Sequence, residues 1–350
     1  MQELYPEFQK KAQQKAVQRK KRTRLSFEVS GVLLLVCIVS FLFLQSSQGA
    51  VRGGVEKDAG TAQEGGGTGT GENSVAELFT SSSATEEQTG NASFAASKEN
   101  GRRLVVRESS DTPAASAKAY LVSDVFSGDV LLEQRATEKL PIASITKLLT
   151  ALVAEERVGL ETRIFFEPDA QYYSVNDLLR PLFLRSNNTV AEDIALYLGE
   201  QRFVEYMEAY AKQIGMYHTN FADTSGLSAG NVSTAADLSV LADFLVREKK
   251  YLLDVTKEQD TTIASMSGYE WRMENQNKLS SDPYFVGGKL GYTDEALQTA
   301  LSIFTIPVHG EMHTVAVVVL GSYDWKQDTR TLLQWLLKHV EVVDSESSSE

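Results

Sequence analysis

Residues 140–156 read LPIASITKLLTALVAEE, a stretch that joins a turn to an amphipathic helix. Apolar residues after Pro141 repeat at the i, i+3, i+4, i+7 spacing of a helix with one buried face, namely Ile145, Leu148, Leu149, Leu152 and Val153. Ser144 and Lys147 are three residues apart and share one turn. The simpler interpretation is a serine at a helix start beside a solvent-directed lysine. The alternative is a nucleophile beside its base, because the positive end of a helix favours a developing oxyanion.

Strand patterns flank this helix on both sides. Residues 118–136, KAYLVSDVFSGDVLLEQRA, alternate apolar and polar about Ser127-Gly128-Asp129, which predicts a hairpin. Helical patterns follow over 175–199, 201–216 and 234–252, with a turn-rich loop before Thr234, and the last helix covers 328–340. Three strands are predicted at 284–293, 297–307 and 313–322. This order favours an α+β fold with one five-stranded antiparallel sheet, the hairpin plus the last three strands, packed with a helical block.

The N-terminal third has a different composition from the rest. Residues 1–24 carry eight lysines and arginines against two glutamates, and residues 25–44 are mainly apolar, with Glu28 as their one charged residue. The cations all precede the apolar run, which predicts a cytoplasmic head and a single transmembrane signal-anchor. A cleaved signal peptide is the alternative, because the uninterrupted apolar core is short. Residues 45–114 are rich in Gly, Ser, Thr and Glu, which predicts a disordered linker.

The predicted domain covers residues 115–340, and an acidic tail follows at 341–350. The composition of this domain excludes several classes of function. The net charge of the whole chain is −13, and no basic stripe is present in this domain, which argues against a nucleic-acid partner. The single cysteine, Cys37, lies in the apolar segment, so neither a disulfide framework nor a cysteine metal site is expected. Four scattered histidines give no zinc-protease spacing. We therefore expect no metal and no cofactor.

Two further pairs of residues help to decide whether Ser144 and Lys147 are structural or catalytic. The stretch LRSNNTV at 184–190 places Ser186 and Asn188 two apart, and VGGKLGYT at 286–293 places Lys289 before Gly291. In chain order, Ser-x-x-Lys, Ser-x-Asn and Lys-x-Gly are the three motifs of penicillin-binding proteins and class A β-lactamases. Each motif alone is weak evidence for catalysis, but the three motifs in this order favour a catalytic interpretation over a structural one.

Residues 118–340 resemble the D-alanyl-D-alanine carboxypeptidase family, the low-molecular-mass penicillin-binding proteins with a DD-peptidase fold. Besides the three motifs, the resemblance includes PIASITKLLTAL at 141–152, GMYHTNFADTSGL at 215–227 followed by STAADL, and GGKLGYTDEA at 287–296. It implies a serine-type carboxypeptidase that acts on peptidoglycan stem peptides and that β-lactams inhibit covalently. An exported domain held to the membrane by one N-terminal helix agrees with a cell-wall substrate.

The resemblance also implies a role for each motif residue. Ser144 would attack the carbonyl and form an acyl-enzyme, and Lys147 would take its proton once burial has lowered the lysine's pKa. Ser186 would pass a proton to the leaving amine, and Asn188 would hold Lys147 and the substrate amide. Lys289 would help to keep Lys147 neutral and attract the substrate carboxylate.

The strand after Lys289 is expected to bind the substrate. Backbone N–H groups of Ser144 and Tyr292 would form an oxyanion hole, and the peptide would lie along Gly291, Tyr292 and Thr293 as an added strand. We expect the loop residues Thr219, Asn220, Ser225 and Gly226 to shape the site without chemistry. His218 is expected to be structural. Asn187 is expected to be a local variation of the family pattern without a catalytic role.

Departures from the family pattern keep alternatives open. Leu290 stands where the family has a hydroxyl residue, Leu297 stands where it has glycine, and the segment between Lys147 and Ser186 is short. An accessory C-terminal β-domain is expected to be absent. A DD-endopeptidase and a catalytically weak or inactive wall-binding scaffold are therefore the two alternatives. A class A β-lactamase is disfavoured because we find no equivalent of its glutamate-bearing loop.

Overall fold

The computed structural model describes residues 102–107 and 111–344. The predicted basic head, the predicted transmembrane segment, most of the predicted linker and the end of the acidic tail lie outside these residues. Among the residues that are described, no helix is both long enough and apolar enough to cross a membrane.

The strands, in chain order, are β1 (Arg102–Val106), β2 (Ala119–Asp124), β3 (Val130–Gln134), β4 (Leu140–Pro141), β5 (Arg163–Phe166), β6 (Gln171–Ser174), β7 (Val232–Ser233), β8 (Asp260–Ala264), β9 (Glu270–Glu274), β10 (Phe285–Thr293), β11 (Leu297–Val308), β12 (Glu311–Ser322) and β13 (Val340–Asp344). The α-helices are α1 (Thr146–Val153), α2 (Val175–Leu184), α3 (Asn188–Leu196), α4 (Glu200–Gln213), α5 (Ala235–Glu248), α6 (Lys250–Lys257) and α7 (Trp325–His339).

One five-stranded antiparallel sheet is the centre of the fold. Its strand order is β10-β11-β12-β2-β3, so the early hairpin joins the last three strands as the sequence predicts. In the β10 to β11 register, Lys289 pairs with Leu301 and Leu290 pairs with Ala300. Because neighbouring residues on a strand point to opposite faces, this register sends Lys289 and Leu290 to opposite sides of the sheet.

Each face of the sheet is covered by helices. Leu301 and Val318 lie in the larger apolar cluster, which also contains the buried side chains of α1 and α5. Val317 and Phe304 lie in a second cluster with the buried leucines of α7. The strands are buried on both faces because helices pack on both, which explains the nearly continuous apolar run of β12. The α+β prediction is confirmed.

The structure corrects the expected domain boundaries. Residues 102–106, placed in the linker, form β1, and residues 341–344, placed in the acidic tail, lie in β13, which pairs with β1 in antiparallel register. Leu104 is only 1% exposed, so burial of apolar side chains stabilises this pair despite the polar composition around it. The small two-stranded sheets β4-β7, β5-β6 and β8-β9 were not predicted either.

The predicted helical segment 175–199 is divided by a turn that contains Ser186. Helix α2 begins at a side-chain cap, where Ser174 Oγ accepts from Asp177 N–H, and α3 begins where Asn187 Oδ1 accepts from Val190 N–H. Between them Ser186 adopts a φ of 51° in the left-handed region. Such a backbone costs about 1–3 kcal/mol and concentrates at functional sites.

Candidate active site

Ser144 lies in a 3-10 turn, Ala143–Ile145, between β4 and α1. The α-helix itself begins at Thr146, two residues later than the sequence indicates. Ala143 has a φ of 47°, and the carbonyl of Ile142 accepts a 3.0 Å hydrogen bond from Thr299 Oγ1 on β11. The turn that carries the serine is therefore attached directly to the central sheet.

Two glycines lie in close contact with the backbone of this turn. A Cβ on Gly226 would lie 2.0 Å from the carbonyl oxygen of Ala143, and one on Gly291 would lie 2.8 Å from the nitrogen of Ser144. Both residues line the same cleft as Ser144. Only glycine permits so close an approach, so the loop and strand β10 meet at the backbone of Ala143 and Ser144.

Lys147 lies beneath Ser144 and is fully buried. Its Nζ donates to Ser144 Oγ at 2.9 Å and to Asn188 Oδ1 at 2.7 Å, and it also donates to the carbonyl of Ser225. These acceptors come from the turn, from helix α3 and from the loop before β7. The geometry brings Ser144, Lys147 and Asn188 together as the motifs predict.

Burial sets the protonation of this lysine. It lowers the pKa of Lys147 to about 7, although the charges of Asp223 and Glu192 oppose the shift. A lysine with a pKa near neutrality is half deprotonated at physiological pH and can accept a proton from a hydroxyl 2.9 Å away. Ser144 therefore has a base within reach.

Ser186 and Lys289 form the other half of the site. Lys289 Nζ donates to Ser186 Oγ at 3.0 Å and to the carbonyl of Leu290 at 2.8 Å. Burial lowers the pKa of Lys289 well below its ordinary value, and the charge of Lys147 lowers it further. The sequence assigned to Lys289 the role of keeping Lys147 neutral, whereas the largest cause of the lowered pKa of Lys147 is burial.

The predicted site lies in a cleft of about 460 Å³. All the predicted site residues except the buried Lys147 line it, namely Ser144, Ser186, Asn188, Lys289, Gly291, Tyr292 and Thr293. Tyr292 is 63% exposed at the mouth, and Thr293 Oγ1 accepts from Ala296 N–H at 3.1 Å. Ser144 and strand β10 therefore border one open volume large enough for a short peptide.

Several residues that contribute to the site were missed or undervalued in the sequence. Asp223 accepts from the N–H groups of Ser225 at 2.8 Å, Gly226 at 2.6 Å and Ser228 at 2.6 Å, which holds the loop against the turn. An aspartate three residues before a glycine is the available signal, since such side chains organise turns. Expected only to shape the loop, Ser225 also supplies a carbonyl to Lys147.

Other lining residues carry no sequence signal. Asn275, Gln276 and Asn277 follow β9, and Gln298 and Trp325 come from β11 and α7. Leu297, where the family has glycine, has a φ of 55° in the left-handed region that glycine adopts without steric cost. His218 donates its N–H to Asp237 at a distance from the cleft, which agrees with a structural position.

No group of three or more His, Cys, Asp or Glu side chains converges on a metal-sized space within residues 102–107 and 111–344. The groups that surround Ser144 are hydroxyls, amines, a carboxamide and backbone carbonyls. This donor set suits nucleophilic attack assisted by a neutral amine.

Comparison with known proteins gives the same assignment. The sequence profile of the D-alanyl-D-alanine carboxypeptidase family matches residues 106–162 and 156–323. The D-alanyl-D-alanine carboxypeptidase DacC of Escherichia coli is 26% identical over 264 residues, which cover 67% of this chain and 64% of that enzyme. A D-alanyl-D-alanine endopeptidase of Haemophilus influenzae is 30% identical over 207 residues, covering 52% of this chain and 68% of the endopeptidase.

A solved structure agrees at the level of fold. The ampicillin-bound penicillin-binding protein of Listeria monocytogenes superposes with a TM-score of 0.57 at 28% identity and covers 65% of this chain and 99% of that one. This chain spans less than two thirds of the length of the Escherichia coli enzyme. The match extends over the turn of Ser144, the loop of Ser225 and strand β10. The chain therefore belongs to the D-alanyl-D-alanine carboxypeptidase family.

Proposed function

We propose that this protein is a serine-type D-Ala-D-Ala carboxypeptidase that acts on peptidoglycan stem peptides. The observation that carries the proposal is the 2.9 Å contact between Lys147 Nζ and Ser144 Oγ, with a lysine pKa of about 7. A neutral amine at this distance is the base that a serine hydroxyl needs.

The reaction follows from the contacts. Ser144 Oγ bonds to the carbonyl carbon of the penultimate D-alanine while its proton passes to Lys147. The C–N bond then breaks, and the departing amine takes a proton from the Ser186 hydroxyl, whose oxygen accepts from Lys289 Nζ at 3.0 Å. The proton that Lys147 took from Ser144 would return to Ser186, which restores both the hydroxyl and the neutral amine. Water attacks the resulting ester and gives its proton to Lys147, the shortened peptide leaves, and that proton returns to Ser144 Oγ and restores the serine. Backbone N–H groups of Ser144 and Tyr292 would stabilise the oxyanion.

β-Lactams would acylate the same serine. The Listeria monocytogenes relative that resembles this chain has a structure in an ampicillin-bound form, which supports this part of the proposal. A strained lactam amide in the cleft would meet the same nucleophile and the same base. The adduct would persist wherever its hydrolysis is slower than its formation.

A DD-endopeptidase is the second candidate, and the Haemophilus influenzae relative favours it. Both activities break an amide bond after a D-alanine, so Ser144 and Lys147 would serve either one. The two differ in the leaving group, which is a single D-alanine in one case and the side chain of a second stem peptide in the other. Purified protein incubated separately with monomeric pentapeptide and with cross-linked dimer would discriminate between them, because release of D-alanine indicates the carboxypeptidase and conversion of dimer to monomer indicates the endopeptidase.

We also propose that the protein is a single-pass membrane protein with residues 1–24 in the cytoplasm and the peptidase domain outside. The support is the basic N-terminus followed by the apolar segment 25–44. An external location agrees with a peptidoglycan substrate. A cleaved segment would give a secreted domain instead.

Labelling with a fluorescent penicillin, followed by peptide mapping, tests the proposed function. We expect one adduct on Ser144, complete loss of labelling in Ser144→Ala, and unchanged labelling in Ser127→Ala, a serine in the β2-β3 turn away from the cleft. An adduct on another residue would refute the mechanism. A folded protein with no adduct and no D-alanine release would favour the non-catalytic wall-binding scaffold.

A further inference from the structure

The carboxylate of Asp223 holds the loop before β7 by its backbone. Its Oδ1 accepts from the N–H of Ser225 at 2.8 Å and from the N–H of Gly226 at 2.6 Å. Its Oδ2 accepts from the N–H of Ser228 at 2.6 Å. Hydrogen bonds from backbone N–H groups to a carboxylate are charge-assisted and about twice as strong as those between neutral groups. One side chain therefore fixes the orientation of two consecutive peptide groups in this loop.

One of these peptide groups connects Asp223 to the base. The group that joins Ser225 to Gly226 donates its N–H to Asp223 Oδ1. Its carbonyl accepts from Lys147 Nζ. In a trans peptide the N–H and the C=O point in opposite directions, so the carboxylate and the amine lie on opposite sides of one rigid unit. Hydrogen bonds in a chain polarise one another, and an anion on the N–H makes the carbonyl a stronger acceptor for the amine.

The other peptide group attaches the same loop to the same helix. The group that joins Thr224 to Ser225 donates its N–H to Asp223 Oδ1. Its carbonyl accepts from Thr150 Oγ1 at 2.6 Å. Thr150 and Lys147 are three residues apart on α1, so their side chains lie on one face of the helix. Asp223 thus orients both carbonyls by which the loop is bonded to the face of α1 that carries the base.

Charged groups on three elements act on Lys147. Burial lowers the pKa of this lysine to about 7, and the charges of Asp223 in the loop and Glu192 on α3 oppose that shift. Burial lowers the pKa of Lys289 on β10, and the charge of Lys147 lowers it further, so each amine disfavours protonation of the other. Asp223 therefore has two connections to the base, its charge and the peptide group that it orients.

From these contacts we propose that Asp223 is a positioning residue for acylation, which acts on Lys147 through one peptide group of the loop and through its own negative charge. The inference rests on the proposed function, because that function makes Lys147 the base for Ser144. Asp223 does not line the cleft and does not touch the substrate. Its hydrogen bonds keep the loop aligned with the base, and its charge raises the pH at which the amine loses its proton.

The test separates the charge from the hydrogen bonds with three variants of the full-length protein. Asp223→Asn removes the charge and keeps an oxygen for the N–H groups of Ser225 and Gly226, whereas Asp223→Ala removes both. Asp129→Asn is the control for net charge, because Asp129 lies in the β2-β3 turn and does not line the cleft. The rate of acylation by a fluorescent penicillin, measured from acid to alkaline pH, gives a midpoint and a high-pH plateau for each protein.

We expect Asp223→Asn to lower the midpoint by about half a pH unit to one unit, because loss of a nearby negative charge favours the neutral amine. Well below the midpoint, this shift raises the acylation rate relative to its plateau by roughly three- to tenfold, since one pH unit is a factor of ten. Asp223→Ala should also lower the plateau by about tenfold or more, because three hydrogen bonds to a charged group are lost. Asp129→Asn should match the parent in midpoint and plateau.

The outcomes separate this inference from the function on which it rests. A midpoint in Asp223→Asn that equals or exceeds that of the parent overturns the inference and leaves the peptidase intact, as does an unchanged plateau in Asp223→Ala. An equal shift in Asp129→Asn overturns it too, because net charge would then be the cause. If Asp223→Ala does not fold, Asp223→Asn decides, since damage to the fold cannot speed acylation at low pH. Absence of a penicillin adduct on Ser144 in the parent refutes the proposed function itself, and the inference with it.

Discussion

Lys147 Nζ lies 2.9 Å from Ser144 Oγ within a single turn of chain, and the lysine is fully buried while the serine borders the cleft. The amine is therefore shielded from water while the serine hydroxyl borders the cleft. Shielding lowers the pKa of the base, and the short distance allows direct proton transfer. This relationship determines how the protein should respond to pH and to substitution.

Acylation should depend on pH with a midpoint near 7. Lys147 acts as a base only when neutral, and the neutral form predominates above its pKa of about 7, so the rate should rise as pH increases. Between about pH 6 and 8 the neutral fraction increases by about tenfold, and acylation by a fluorescent penicillin should increase by a similar factor. Lys147→Arg should show no such rise, because arginine remains protonated throughout. A flat profile in the parent protein would contradict the assignment of Lys147 as base.

Asn188→Asp should move that midpoint upward. Asn188 Oδ1 accepts from Lys147 Nζ at 2.7 Å, so an aspartate would keep the acceptor and add a negative charge that favours the protonated lysine. We expect slower acylation at neutral pH that recovers at higher pH. Asn187→Asp is the matched control, because that side chain caps α3 through Val190 N–H and aspartate is an equally good cap. Equal midpoints in the parent and Asn188→Asp proteins would argue against this contact.

Gly226→Ala should disrupt the nucleophile's turn. A Cβ at this position would lie 2.0 Å from the Ala143 carbonyl oxygen, and φ is 85°. We expect a loss of roughly 2 to 4 kcal/mol in unfolding free energy, together with loss of acylation. Gly128→Ala is the control, because its φ of 78° is similar and no atom lies within 4 Å, so only the backbone cost of about 1 to 2 kcal/mol applies. Denaturant unfolding measures both, and similar losses in the two variants would show that contact with Ala143 is unimportant.

The N-terminal segment predicts a defined topology. Protease added to intact spheroplasts should degrade residues 45–350 and spare residues 1–24, because eight cations precede the apolar segment whereas only Arg52 and Lys57 follow it closely. A tag at the N-terminus and an antibody against the peptidase domain distinguish the two products. A domain that resists protease until the cells are lysed would place it in the cytoplasm, and a mature N-terminus near Ala50 would indicate a cleaved signal.

The five-stranded sheet and the paired motif residues followed from local sequence. Alternation about the Ser127-Gly128-Asp129 turn identifies β2 and β3, the apolar C-terminal runs identify the last three strands, and the i, i+3, i+4 spacing identifies α1. These patterns located the elements, although every residue of β2 and α1 is buried, so neither has only one buried face. The 144–147 spacing alone puts the serine and lysine on one turn. Strands β1 and β13 escaped prediction because they pair across almost the whole domain and have polar neighbours, so no local pattern distinguishes them from linker and tail.

The tertiary structure decided which groups surround the turn of Ser144 and Lys147, and whether the lysine is protonated. Burial, which no spacing reveals, lowers the pKa of Lys147, and folding brings Asn188, Ser225 and Gly226 to it from distant parts of the chain. The character of the cleft beside Leu290 was decided in the same way, because Gln298 and Trp325 reach it only through the packing of β11 and α7. The sequence determined the Ser144–Lys147 pair, since their contact is local. The protonation of Lys147 and the lining of the cleft depend on long-range packing, which only the folded chain defines.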